Sequence, residues 1–136
     1  LEAAALLEHI DAVIPAGDLV VLGGDLNTNS RGEAAVDALG SLFITAGPHP
    51  ADQDDNDNTN GPRSKPYDWV VADGDLILLQ VPVVIGQSSF PAGAVIDTRV
   101  YQPLAEIAPA QLGDSDAPSM QHMAVVKDFF IDPDPI

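Results

Sequence analysis

Apolar positions along the chain follow two periods, and the changes between them divide it into elements. Over residues 1–14, Leu6, Leu7, Ile10, Val13 and Ile14 recur at helical spacing, and Pro15 with Gly17 closes the pattern. An amphipathic helix is expected there. Leu19-Val20-Val21-Leu22 follows as an unbroken apolar run between Asp18 and Gly23. Such a run predicts a strand buried on both faces. Ser30 and Glu33 stand at capping-box spacing, and Ala34, Ala35, Ala38, Leu39 and Leu42 carry the helical period onward. The second helix is placed at 31–41.

Beyond it the period is lost. Gly, Pro, Asn and Asp take over from 45 to 66, which predicts a long loop of the kind that is usually functional or disordered. Strands are expected at 67–72 and 76–80, joined by the tight turn Asp73-Gly74-Asp75, with 83–85 extending the second past Pro82. Residues 101–120 are rich in Pro, Ala and Asp and leave room for one helical turn near Leu104–Ile107. A last strand covers 123–131, before Asp132-Pro133-Asp134-Pro135 ends the pattern. Segments 19–22, 67–72 and 123–131 should share one mixed, largely antiparallel sheet with the helices on one face, an α+β arrangement. No internal repeat and no linker divides the chain, so 1–136 reads as one domain or part of one.

Composition changes the picture mainly through charge. Five Lys+Arg against 21 Asp+Glu give a formal net charge of -16, and seventeen of the acids are Asp. Such a surface repels phosphate backbones unless a local basic patch or bound cations intervene. It also denies the chain a basic face for an anionic membrane. An Asp-heavy surface fits adaptation to high salt equally well. With no cysteine, disulfides, thiolate metal sites and a Cys nucleophile are excluded. The apolar stretch from Leu76 to Gly86 is interrupted by Gln80 and Pro82 and is too short to span a bilayer. The first residue is not Met and no signal peptide is visible, which reads as a trimmed, processed or incomplete chain. The compartment stays open, with a lean to a secreted or periplasmic protein.

Candidate chemistry lies where polar residues interrupt strand ends. In Val20-Val21-Leu22-Gly23-Gly24-Asp25-Leu26-Asn27, a buried strand runs into two glycines and delivers Asp25 and Asn27 two positions apart. Strand ends of α/β sheets are where ligands bind. An Asp and an Asn there can orient a water and hold a phosphoryl oxygen or a divalent cation; the competing reading is an Asx-turn closed on its own backbone. Asp68 opens an apolar strand, where a carboxylate needs a partner, or is a surface residue at a strand end. His122 precedes Ala124-Val125-Val126, either as a catalytic group or as a satisfied structural histidine.

Taken in order, Gly23-Gly24-Asp25-Leu26-Asn27, Arg63 to Asp68, and His122 before Ala124-Val125-Val126 resemble the C-terminal half of the endonuclease/exonuclease/phosphatase superfamily, the deoxyribonuclease I-like fold. Glu2-Ala3 leading into Leu6-Leu7 resembles the helix after that family's Thr-His-Leu strand. The resemblance implies a four-layer α/β sandwich of which this chain supplies about half, leaving an exposed apolar face for the other half. It also implies a phosphoesterase that uses Mg2+, or Mn2+ or Ca2+. Asp25 would position the attacking nucleophile and is the metal candidate, Asn27 would contact phosphate, and Asp68 would pair with the catalytic His122. A neighbouring carboxylate raises a histidine's pKa and fixes its tautomer, and the imidazolium can stabilise charge building on phosphorus.

Two departures stand out. The family's Ser-Asp-His reads Met120-Gln121-His122 here, so the charge of that aspartate is missing unless Asp114 or Asp116 replaces it. An Asn and a metal-binding Glu come from the family's first half, so a preceding segment of the same domain is the implied partner, together with a phosphate-ester substrate. In the acidic stretch 51–61, the helix–loop–helix calcium pattern fails: counted from Asp52, position 6 is Asp57 and position 12 is Arg63. A solvated acidic loop is expected, with an adventitious surface cation site as the alternative. Asn60 and Arg63 are the candidate phosphate contacts, set against Arg63 as an ordinary loop charge. Two functional classes follow: a metal-dependent phosphoesterase, for which nucleic acid is a substrate disfavoured by charge, and a non-catalytic member or fragment that keeps the fold as a binding or structural module.

Overall fold

A computed structural model describes residues 2–132; Leu1 of the first expected helix and residues 133–136, which include Pro133-Asp134-Pro135 of the expected closing stretch, lie outside it. Helix α1 (Glu2–Val13) and helix α2 (Ala34–Leu39) flank β1 (Val21–Asp25). α1 turns Leu6, Leu7 and Ile10 onto a core of Val36, Leu39, Phe43, Trp69 and Val71. β1 pairs antiparallel with β2 (Asp68–Ala72), Leu22 opposite Val71 and Gly24 opposite Trp69. Side chains alternate across a ladder, so Leu22, Trp69 and Val71 face the helices while Val21, Asp25, Asp68 and Val70 share the other face.

The rest of the chain is built from short hairpins and turns. β3 (Gln80–Val81) pairs with β8 (Asp128–Phe129), β4 (Val83–Ile85) with β5 (Ser88–Phe90), and β6 (Ala94–Ile96) with β7 (Ala124–Val126). A second core of Val83, Phe90, Ala94 and Tyr101 lies under them. Single 3-10 turns occupy Leu76–Leu79, Leu104–Ile107 and Asp114–Asp116. Helices with small antiparallel sheets make the class α+β.

Several expectations are corrected. Residues 19–22, 67–72 and 123–131 do not form one mixed sheet: the described ladders are four two-stranded antiparallel pairs, and the parallel pairing is one isolated bridge, Ala51 with Ala94. β7 lies beside β2, but Thr59 stands between their starting ends, its carbonyl accepting from Met123 N at 2.7 Å and its hydroxyl from Asp68 N at 2.7 Å. The expected strand 123–131 changes partner at Lys127, whose ammonium is held by Gln80 Oε1 at 3.0 Å. β1 is not buried on both faces, since no layer covers its outward side among the described residues and Val21 is 52% exposed. Leu78, Phe130 and Ile131 leave further apolar surface where the first 3-10 turn meets β8. Helix α2 starts three residues later than placed, because Glu33 reaches back to the backbone N–H groups of Asn29 and Ser30 while no side chain caps the helix itself.

The expected hairpin 67–72/76–80 is absent for a specific reason. Asp73 uses its carboxylate as a backbone acceptor three times: Oδ1 takes Asp75 N at 3.0 Å and Leu76 N at 2.7 Å, and Oδ2 takes Val20 N. That winds 76–79 into a 3-10 turn instead of a returning strand. Burial alone would raise this carboxyl, but the three backbone donors outweigh it and hold its pKa below the ordinary value. Asp73→Ala removes the only side chain serving all three donors and should cost about 2 kcal/mol or more, read as a lower urea midpoint with an unchanged slope.

Candidate functional site

The last rung of the β1–β2 ladder sets Asp25 directly opposite Asp68. Residues opposite each other across an antiparallel pair share a face, so two carboxylates meet at one rim. Beyond the rung, Leu26 N and Asn27 N both donate to the Tyr67 carbonyl, at 2.8 and 3.2 Å. This clamps the start of the following loop.

His122 arrives from the opposite direction. Residues 59–61 run alongside 121–123: Gly61 N donates to the Gln121 carbonyl at 2.8 Å, and Asn60 and His122 form an antiparallel bridge. A Cβ on Gly61 would stand 2.7 Å from the Met120 carbonyl oxygen, so this approach requires glycine. His122 Nδ1 lies 3.1 and 3.2 Å from the two Asp68 oxygens, and Nε2 lies 3.9 Å from Asp25 Oδ2. The Tyr67 ring leans on the imidazole at 5.9 Å between centroids, 45° apart. A carboxylate only accepts, so Nδ1 carries the proton and Nε2 faces Asp25. Asp68 is the more buried partner, its side chain 17% exposed against 40% for His122.

Asp25, Asp68 and His122, distant in sequence, are thus brought together. Each offers a ligand atom, and these atoms lie within 4.8 Å of one another. Two carboxylates at an exposed rim fit a hard divalent cation, which takes one or two carboxylates and keeps waters. With His122 and Asp68 bonded to each other, Asp25 Oδ2 is the most open donor. Asn27 lies at the same rim, exposed and in the left-handed region at φ 49°. Its backbone N–H donates to Asp25 Oδ1 at 2.7 Å, so the Asx-turn is real and occupies one of the two Asp25 oxygens.

Asn60 and Arg63 are corrected from phosphate contacts to structural groups. Asn60 is buried; its Oδ1 accepts from Ser64 N at 2.7 Å and Lys65 N at 2.8 Å, and its amide donates to Ser64 Oγ. Arg63 is nearly enclosed, with NH1 at 2.7 Å from Asp52 and 2.8 Å from Asp97. Its other nitrogens donate to the Asn58 and Asn56 carbonyls at 2.6 and 2.8 Å. All three Arg63 nitrogens are engaged, whereas Asn60, though bonded within its own turn, also borders the groove formed with Tyr67 and Gln121. The acidic stretch is therefore not simply solvated: Asp52 is 6% exposed and anchors it.

Asp97 and Arg99 were not singled out in the sequence, and they complete this cluster. Arg99 grips Asp97 through Nε at 2.8 Å and NH2 at 2.7 Å. Burial pushes the Asp97 carboxyl up, but hydrogen bonds from Arg99 and Arg63 prevail and hold it at about 2. The available signal was Asp97-Thr98-Arg99 directly after the apolar triplet 94–96. No protein-family model, curated protein or solved structure matches the chain.

Two outcomes follow from this geometry. A carboxyl lowered from 3.8 to about 2 on folding stabilises the native state above pH 3.8, and that contribution disappears as pH falls through 2. Urea denaturation across this window should lose about 2 kcal/mol from this group alone, with the Asp97 carboxyl carbon titrating near the lower limit by NMR. Gly61→Ala should force residues 120–122 away, costing about 1–3 kcal/mol as an overpacked contact and shifting the His122 ring resonances as the Asp68 contact opens.

Proposed function

We propose that Asp25, Asp68 and His122, with Asn27, form part of a divalent-metal-dependent phosphoesterase centre of the endonuclease/exonuclease/phosphatase type. The domain around it would be the four-layer sandwich, with further site residues contributed from outside this chain. The reaction is in-line attack of water on a phosphodiester or phosphomonoester. The observation that carries the reading is the meeting of the three side chains, with His122 Nδ1 at 3.1 Å from Asp68. Unrelated strand-end polar residues have no reason to converge in this way.

Each residue has a role that its surroundings allow. Asp68, tied down by Thr59 through its backbone N–H, holds the imidazole in one orientation and tautomer. Nε2 points away from Asp68, where an N–H of the ring can stabilise negative charge on a phosphoryl oxygen. Asp25 Oδ2 orients a water or a metal ion, and Asn27 presents a side-chain amide beside it. A bound Mg2+ or Mn2+ supplies charge neutralisation on phosphorus.

The Asx-turn between Asp25 and Asn27 favours a second reading, a binding or structural module in which these residues close their own loop. Turnover of bis(p-nitrophenyl) phosphate by the full-length protein separates the two. On the first reading, EDTA abolishes turnover and Mg2+ or Mn2+ restores it. His122→Ala lowers turnover by about two orders of magnitude or more with little change in melting temperature, since this ring is part-exposed. Full activity in that variant leaves only the second reading.

A further inference from the structure

We propose that the groove beside His122 receives the flat aromatic part of a phosphate ester, an aryl or nucleobase group, and that Lys65 holds the ester's anionic group; this rests on the phosphoesterase reading of the same site. The groove has a volume of about 460 Å3; Pro62, Tyr67 and Met120 give it apolar wall, and Asn60, Ser64, Lys65 and Gln121 give it polar wall. It abuts the site directly. Tyr67 precedes Asp68 and its ring leans on His122, while Gln121 precedes His122 in the chain.

Charge selects Lys65. An anion approaching Asp25 and Asp68 is repelled unless a cation stands nearby. Three of the five cations are committed to carboxylates, Arg63 and Arg99 on Asp97 and Arg31 on Asp57 at 3.3 Å, and Lys127, bonded to Gln80, lines a different cavity. Lys65 donates to Asn29 Oδ1, an exposed neutral acceptor, at 2.7 Å. Asn29 lies two residues past Asn27, so the ammonium reaches from the groove to the loop that carries the site's other half. An incoming phosphate oxygen is a stronger acceptor than that amide.

The walls select a ring. Met120 is 43% exposed, and with Tyr67 and Pro62 it makes the apolar part of the lining. Aromatic faces hold flat rings by stacking without reading their edges, and a thioether adapts to their shape. A bare sugar or polyol phosphate would leave these surfaces without a partner.

Amide NMR titration of the protein with adenosine 5'-monophosphate in metal-free buffer tests the proposal, with ribose 5-phosphate as the ring-free control. The nucleotide should perturb residues 63–67 and 120–122, while the control binds at least about tenfold more weakly. Lys65→Gln should weaken both about tenfold, the loss of one charge-assisted contact, and Met120→Ala should weaken the nucleotide alone. Perturbations elsewhere, no binding, equal affinity for the two ligands, or indifference to Lys65→Gln overturns the proposal. Both substitutions are on accessible side chains, and retained spectral dispersion verifies folding. Nucleotide binding here in a protein that hydrolyses no phosphate ester keeps the groove and sinks the phosphoesterase reading. Hydrolysis that needs His122 but ignores Lys65 and Met120 does the reverse.

Discussion

The guanidinium of Arg63 holds the long connection between α2 and β2 in its one conformation, and the candidate site depends on that connection. Arg63 ties Asp52, near the start of the loop, to Asp97, just after β6, and closes the Asn56 and Asn58 carbonyls onto itself. With the loop fixed, 59–61 can run between the start of β2 and the start of β7. Thr59 then binds both strands, and Asn60 is bridged to His122. Arg99 brings the buried charges to two positive and two negative, while Asp116, 3.8 Å away and largely exposed, adds little. Desolvating such a cluster costs much of what its attraction returns. Its value here is that few other arrangements of the loop satisfy it.

Within that frame the site carries a built-in electrostatic conflict. Asp25 and Asp68 are opposite each other on one face of the ladder, a like-charge pairing that destabilises a sheet. A short terminal rung tolerates it because the Asp25 side chain is 45% exposed and water screens the pair, with His122 bonded to Asp68 and within 3.9 Å of Asp25. Neutral imidazole settles only one carboxylate. The other, Asp25, is exposed and open to water or a cation.

The sequence made the local features legible and left the long-range partnerships dark. Helical spacing at Leu6, Leu7 and Ile10 is a local signal, and α1 forms as expected. So does the apolar run ending at Ala72. The pairing of Asp68 with His122 came from ordered motifs rather than from periodicity. Asp73-Gly74-Asp75 misled because turn residues specify that the chain bends, not which donors the aspartate finds; Val20, 53 residues away, is one of them. Neither a phosphate contact nor an ordinary loop charge describes Arg63, because nothing local to it shows that Asp52 and Asp97 enclose it. The β4–β5 hairpin was hidden by Pro82, which ends one strand and admits another with a different partner.

Charge distribution joins the fold to the chemistry. In a chain of net charge -16 with five Lys+Arg, every cation buried for structure is one fewer at the surface. The Asp97 cluster consumes two, and Arg31 is drawn over the Trp69 ring at 5.6 Å, where Asp57 also holds it. An active centre for phosphate esters assembled on such a chain cannot rely on a general basic field to gather its substrate. Near the rim, positive charge is limited to Lys65, bonded there to Asn29, and to whatever cation the two facing aspartates attract. On the proposed phosphoesterase reading, that distribution of charge favours small substrates gripped at a few points over a duplex held along many phosphates.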